Sequence, residues 1–203
     1  MRLAPRKQRA AGAQSWPSDR KIMLHVGCGP RVSGLLPQQF TTPQWHEVRL
    51  DIDPDVDPDI IGTIIDMTAV DQRSVDAIWS SHNLEHVFAH EVPLALREFY
   101  RVLKPGGTAH VQVPDLTVPA RQVARGRLEE VLYVSPAGPI SALDMLYGHG
   151  AAITRGEHYM AHRTGFTKQT LAAKFTDVGF VSVRVDEKDK ALWATAKRPQ
   201  SDG

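Results

Sequence analysis

Apolar and polar positions follow two different periods along this chain, and the switches between them mark its elements. Ile22, Leu24 and Val26, with Met23 between them, predict a strand buried on both faces, as in a parallel sheet covered by helices. The run ends in Gly27 and Gly29, which lack a Cβ and let the backbone turn tightly or come close to something bulky. Glu47–Asp51 predicts a second strand, the β-branched run Ile60–Asp66 a third and Val75–Ser81 a fourth. From Glu91 to Leu103 the apolar residues recur at helical spacing, and Pro105-Gly106-Gly107 stops that helix. Thr108–Val113 reads as a fifth strand. Lys168–Asp177 predicts a helix stopped by Gly179, and the strands Phe180–Val185 and Ala191–Ala196 are joined so briefly that they should pair antiparallel. Arg31–Phe40, broken by Gly34 and Pro37, is a poor helix or a loop with one helical turn.

Strands alternating with helices give an α/β doubly wound sheet of seven strands, mostly parallel, with an antiparallel C-terminal strand. The segment 116–167 is too long for an ordinary connection, and we expect a helical cap over the carboxyl edge of the sheet. Residues 1–20 hold Arg2, Arg6, Lys7 and Arg9 without an apolar stretch, which predicts a flexible basic tail ahead of a single domain at 21–203.

Composition narrows the function classes. A 42% hydrophobic and 23% charged chain is ordinary for a soluble globular protein, and no apolar run nears the roughly 18 residues that span a bilayer. The net charge of +1 gives no reason to expect nucleic acid or an anionic membrane as partner. Cys28 is the single cysteine, which excludes an internal disulfide and fits a reducing cytoplasm.

Several strand ends carry acids or polar residues at the edge where open α/β sheets bind ligands. Asp51 follows Gly27 at about the interval, some 20 residues, at which nucleotide folds place an acid for ribose hydroxyls. A carboxylate suits a diol because it only accepts hydrogen bonds. Asp53 could exchange roles with it, and a plain turn acid is the competing reading. Ile52 and Met67 could supply an apolar surface for an adenine ring and Asp66 an acceptor for its amine; a helix N-cap is the alternative for Asp66.

Taken together, Leu-His-Val-Gly-Cys-Gly, Arg-Leu-Asp-Ile-Asp-Pro, Ile-Ile-Asp-Met, Val-Asp-Ala-Ile-Trp-Ser-Ser-His-Asn-Leu-Glu-His and Arg-Val-Leu-Lys-Pro-Gly-Gly resemble the class I S-adenosylmethionine-dependent methyltransferases. The likeness is greatest to the small-molecule branch with Leu-Glu-His after the fourth strand, and covers about residues 21–115 and 166–198. It implies a Rossmann-like fold, methyl transfer, and S-adenosyl-L-methionine as cofactor. On this resemblance Gly27 and Gly29, with Cys28 between them, pass beneath the methionine and ribose, and Asp51 holds the ribose. Asp66 and Met67 flank the adenine, and Ser81, His82 and Asn83 line the site near the sulfonium. Two positions depart from the pattern: His25 stands where an acid often meets the amino-acid end of the cofactor, and Pro30 where a third glycine is common. The rival nucleotide reading, an NAD(P)-dependent oxidoreductase, needs a glycine spacing for pyrophosphate that Gly-Cys-Gly-Pro-Arg-Val-Ser-Gly lacks. A cofactor-binding regulatory protein without turnover is a third possibility.

Methyl transfer from a sulfonium needs the acceptor held in line and water excluded, and a base only if the acceptor must lose a proton. The expected acceptor is a small molecule, a saccharide or a lipid-linked intermediate. His82 is the best-placed base by topology, unless its ring only packs on the cofactor. Tyr159 and His162 are further catalytic candidates from the cap, with Tyr147, His149 and Arg163 as substrate contacts; Arg163 suits a carboxylate or phosphate. His82, His86 and His90 recur every four residues, as His158 and His162 do once, but no cysteine or carboxylate cluster completes a site, so no metal is expected. Cys28 reads as a small filler rather than a nucleophile.

Overall fold

A computed structural model describes residues 16–31 and 36–201. The expected tail therefore lies mostly outside the described residues. The strands are β1 (Lys21–Val26), β2 (Trp45–Asp51), β3 (Ile60–Ile61), β4 (Val75–Ser81), β5 (Leu103–Pro114), β6 (Val131–Ser135), β7 (Gly138–Ser141), β8 (Val181–Lys188) and β9 (Ala191–Lys197). The helices are α1 (Val92–Val102), α2 (Thr117–Ala124), α3 (Ala142–Tyr147), α4 (Gly150–Thr154) and α5 (Lys168–Val178).

Seven strands form one sheet in the order β3-β2-β1-β4-β5-β9-β8, and β6 and β7 form a separate hairpin. β1 pairs in parallel with both β2 and β4, so the chain reverses direction across the sheet at that point. β9 runs antiparallel to β5 and β8, as expected from the short link between the last two strands.

Pleating sends alternate residues to two faces. Ile22, Leu24 and Val26 of β1, Ile78 of β4, Ala109, Val111 and Val113 of β5 and Leu192 of β9 join one large core. α1 closes that core with Val92, Ala95, Leu96, Phe99 and Val102, and α5 adds Leu171 and Phe175. Burying a side chain such as Phe99 contributes about 1.5–3 kcal/mol. α5 begins at Thr167, whose hydroxyl accepts from the Thr170 N–H, and ends at Gly179 with φ +105°. The opposite face holds a smaller cluster of Met23, Phe40, Ala77 and Trp79, with Phe40 supplied by the 3₁₀ turn Gln38–Phe40.

Two expectations need correction. The third strand stops at Ile61 instead of running to Asp66, because a turn closes from the Asp66 N–H to the Thr63 carbonyl and carries Ile64 into the core. The segment after β5 is not purely helical. It contains α2, the β6–β7 hairpin, α3, α4 and the 3₁₀ turn His158–Met160. It returns to the sheet where Asp115 and Phe166 bridge and Leu116 N–H donates to the Phe166 carbonyl. Among the described residues no helix is long and apolar enough to cross a membrane.

Candidate functional site

The turn after β1 is held from two sides by β2. Gly29 N–H donates to Asp51 Oδ2 at 2.8 Å, while the Gly29 carbonyl accepts from the guanidinium of Arg49. Asp51 Oδ1 accepts from Asp53 N–H at 3.0 Å. The buried carboxylate at the end of β2 thus uses two of about four acceptor positions, one on each oxygen. Arg49 is buried, and also donates to the carbonyls of Val56 and Asp57, tying the glycine turn to the turn after β2. Sequence reasoning passed over Arg49; an arginine within an otherwise apolar strand run was the available signal.

Gly27 and Gly29 both adopt positive φ, +60° and +57°. A Cβ on Gly27 would lie 2.5 Å from Asn83 Cγ, whereas one on Gly29 would meet nothing within 4 Å among the described residues. The first glycine therefore admits the Asn83 amide, and the second faces open space. Among the described residues Asn83 Nδ2 is buried without a hydrogen-bond partner, a donor available beside that opening.

Of the other expected cofactor residues, Ile52 is 59% exposed immediately beyond Asp51. Asp66 is exposed, with Oδ1 on Thr68 N–H at 3.2 Å. Met67 is corrected: it is 0% exposed within the main core, so its side chain offers no face to a ring at the sheet edge. Its backbone matters more. Met67 N–H donates to Glu98 Oε2 at 2.6 Å and its carbonyl accepts from Arg101, which pins the Asp66 turn onto α1. His25 is buried, with Nδ1 2.8 Å from Glu47 Oε1, and that hydrogen bond holds the Glu47 carboxyl below its ordinary pKa. The pair braces the strands beneath the turn. Cys28 is buried, and burial pushes its thiol up to about 12, which suits a filler.

β4 delivers Ser81, His82 and Asn83 to the same edge. Ser81 Oγ donates to Gln112 Oε1 at 3.0 Å. His82 adopts φ +48°, and its Nδ1 lies 3.4 Å from Glu85 Oε1. Burial works against its charged form, but the adjacent Glu85 carboxylate prevails and raises its pKa. The 3₁₀ turn Leu84–His86 follows and carries His86.

The insertion reaches this edge at two points. Tyr159 OH donates to Asp53 Oδ2 at 3.0 Å; burial and then Asp53 push the phenol up to about 12, so it stays a donor near neutral pH. The backbone N–H groups of Arg163 and Thr164 donate to the Glu85 carbonyl. His162 precedes them, with Nδ1 3.0 Å from the Met145 carbonyl and its ring centroid 5.0 Å from that of His86. The Arg163 guanidinium instead stacks on Phe88, 4.7 Å from the ring centroid. Tyr147 is exposed and His149 sits at the start of α4.

The family described as methyltransferase domain matches residues 24–111. No curated protein sequence matches the chain. Among solved structures, a S-adenosylmethionine-dependent methyltransferase from Methanosarcina mazei is 16% identical, with TM-score 0.58 over 91% of this chain and 95% of its own. A chain in the complex of the Haloferax volcanii Trm112 methyltransferase activator is 16% identical, with TM-score 0.57 over 89% of this chain and 84% of that one. Phosphoethanolamine N-methyltransferase 2 from Haemonchus contortus, in complex with S-adenosyl-L-methionine, is 11% identical, with TM-score 0.54 over 89% and 49%. At such identities the likeness is one of fold. Residues 24–111 thus match a methyltransferase domain, and the chain shares the fold of S-adenosylmethionine-dependent methyltransferases.

Proposed function

We propose that this chain methylates a small-molecule, saccharide or lipid-linked acceptor bound between the carboxyl end of β4 and the insertion. The observation that carries the reading is the meeting of Gly29, Asp51, Asn83 and Tyr159–Asp53 at one edge of the sheet, with room above Gly29 and an unpartnered amide beside it. The residues present fit S-adenosylmethionine, which supplies an electrophilic methyl on a sulfonium.

The remaining acceptor positions of Asp51 receive the ribose diol, and Ile52 covers one face of the adenine. The exposed carboxylate of Asp66 accepts from the ring's amine, and Asn83 Nδ2 donates to the methionyl end. His82, oriented by Glu85, takes the proton of a hydroxyl acceptor; for a carboxylate acceptor it has only to pack. Tyr159 closes the edge against water. Positioning of this kind supplies effective molarities of about 10⁵ M or more, enough to carry most of an in-line displacement.

Calorimetry with S-adenosylmethionine, S-adenosylhomocysteine and NAD(P), followed by S-adenosylhomocysteine release across an acceptor panel, tests the reading. Binding of the first two and turnover of an acceptor is the expected result. Exclusive NAD(P) binding would indicate an oxidoreductase, and binding with no turnover on any acceptor a regulatory protein.

A further inference from the structure

Glu85 is the group that the methyl-transfer reading leaves least explained. It is 1% exposed, and among the described residues its carboxylate oxygens have no well-aligned hydrogen bond, only His82 Nδ1 at 3.4 Å from Oε1. An ionised carboxylate so placed needs a compensating positive charge. Among the described residues no lysine or arginine side chain pairs with it; His82, His86 and His162 surround it instead, and together they hold its pKa low against the effect of burial.

Three donor atoms, one each from Glu85, His86 and His162, lie within 4.8 Å of one another. A cation about 2.0–2.2 Å from each requires donors roughly 3–4 Å apart, so a contraction of about an ångström is enough to grip it. His162 is already set for the task. Its Nδ1–H donates to the Met145 carbonyl, which leaves Nε2 with a free lone pair, the outer brace usual for a ligating imidazole. His86 has a carbonyl beside each nitrogen, Ala161 O at 3.2 Å from Nδ1 and His82 O at 3.1 Å from Nε2. A neutral ring can satisfy only one of them. Keeping Nδ1–H on Ala161 leaves Nε2 unprotonated, and turning it off the His82 carbonyl makes it a ligand.

We propose that Glu85, His86 and His162 form a binding site for a divalent transition-metal ion of the zinc class. One carboxylate and two imidazoles suit Zn²⁺ or Co²⁺, whereas Mg²⁺ and Ca²⁺ favour all-oxygen sets. The ion supplies the charge that the buried carboxylate lacks. Three protein ligands leave at least one coordination position open. Asn83, which abuts Gly27, is only two residues before Glu85, so the ion lies beside the cofactor edge. If the chain methylates an oxygen, as the reading above has it, that position takes the acceptor oxygen and lowers its pKa.

The test is titration of Zn²⁺ and Co²⁺ into chelator-stripped protein with its purification tag removed, without cofactor. One ion per chain is expected, with visible Co²⁺ bands of a four- or five-coordinate site. Glu85→Gln and His162→Ala should each weaken binding about 100-fold or more. Should Glu85→Gln fail to fold, a Zn²⁺-dependent rise in melting temperature that vanishes in His162→Ala is equally decisive. No stoichiometric uptake at 100 µM ion, on the order of that concentration being ample for such ligand sets, overturns the site; so does uptake unchanged in His162→Ala. A His86 ring bearing two protons in ¹⁵N spectra at saturating Zn²⁺ would also overturn it, naming that imidazolium as the counterion. Separate calorimetry of S-adenosylmethionine on the stripped protein shows whether the methyltransferase reading stands without the metal.

Discussion

Removing the Asp51 carboxylate tests the heart of the cofactor site. In the free protein, Asp51→Ala leaves the N–H groups of Gly29 and Asp53 without their acceptor. Both residues are only partly buried, so water can replace the carboxylate and the cost to folding should stay near 1–2 kcal/mol rather than the full penalty for two orphaned donors. For a chain of this size that is a fall of about 2–8 °C in melting temperature. The bound state loses more, because the ribose diol also forfeits its acceptor: about 1–3 kcal/mol, or roughly 5- to 150-fold in Kd. Asp51→Asn keeps the shape and one acceptor but turns an NH₂ toward a backbone donor, so it should rescue little. Calorimetry with S-adenosylhomocysteine reads the affinity, and a thermal melt of the free protein reads the loop. A variant that melts early yet binds with wild-type affinity would refute the ribose assignment and leave Asp51 as a strut for the glycine turn.

Other predictions reach beyond that residue. Gly148 has φ +98°, and a Cβ there would lie 2.1 Å from the Met160 carbonyl; Gly148→Ala should cost about 2–4 kcal/mol and expose the insertion to limited proteolysis, while wild-type protease resistance would show that the crossing is loose. Cys28, its thiol at about 12, should resist Ellman's reagent at pH 8, where about one part in 10⁴ is thiolate, and react at once in denaturant; rapid labelling of the native chain would contradict its burial. The hydrogen bond from Arg101 holds the Glu98 carboxyl below its ordinary range, so this group stabilises the fold above about pH 4.5 and the contribution fades as pH falls through the lowered folded value. Glu98→Gln should cost about 1–3 kcal/mol at pH 7 and flatten the acid limb of stability against pH in denaturant melts; parallel curves for the two proteins would show that the pair does not set that limb.

Where a residue's role follows from its neighbours in sequence, the chain could be read directly. Short apolar runs in Ile22–Val26 and Val75–Ser81 mark strands, helical spacing marks α1, and Gly179 stops α5, since each signal is local. Ile60–Asp66 misled because Gly62-Thr63 turns the chain while Ile64 still enters the core, so apolar character persists after the strand has ended. The β6–β7 hairpin is too short to show a period, and its Val131 and Val134 face outward. Glycine turn and Asp51 were legible as a pair, but Arg49, which grips the same turn from the adjacent strand, was not. The histidine spacing was visible, but not the grouping: Glu85 gathers His86 from its own turn and His162 from the far end of the insertion, a meeting fixed only by tertiary structure.

The two free borders of the seven-stranded sheet bear on how copies of this chain can associate. On one side β3 is a stub of two residues, too short to template another strand. On the other, β8 slips register between Val181 and Arg184, with Ser182 at φ +51°, and then presents Arg184, Asp186, Glu187 and Lys188. An irregular, charged margin of that kind discourages hydrogen-bonded stacking from chain to chain. Extension of the sheet into a fibril or a continuous dimer is thereby blocked at both ends, and crowding of this protein in solution has to be accommodated through side chains, not through its backbone.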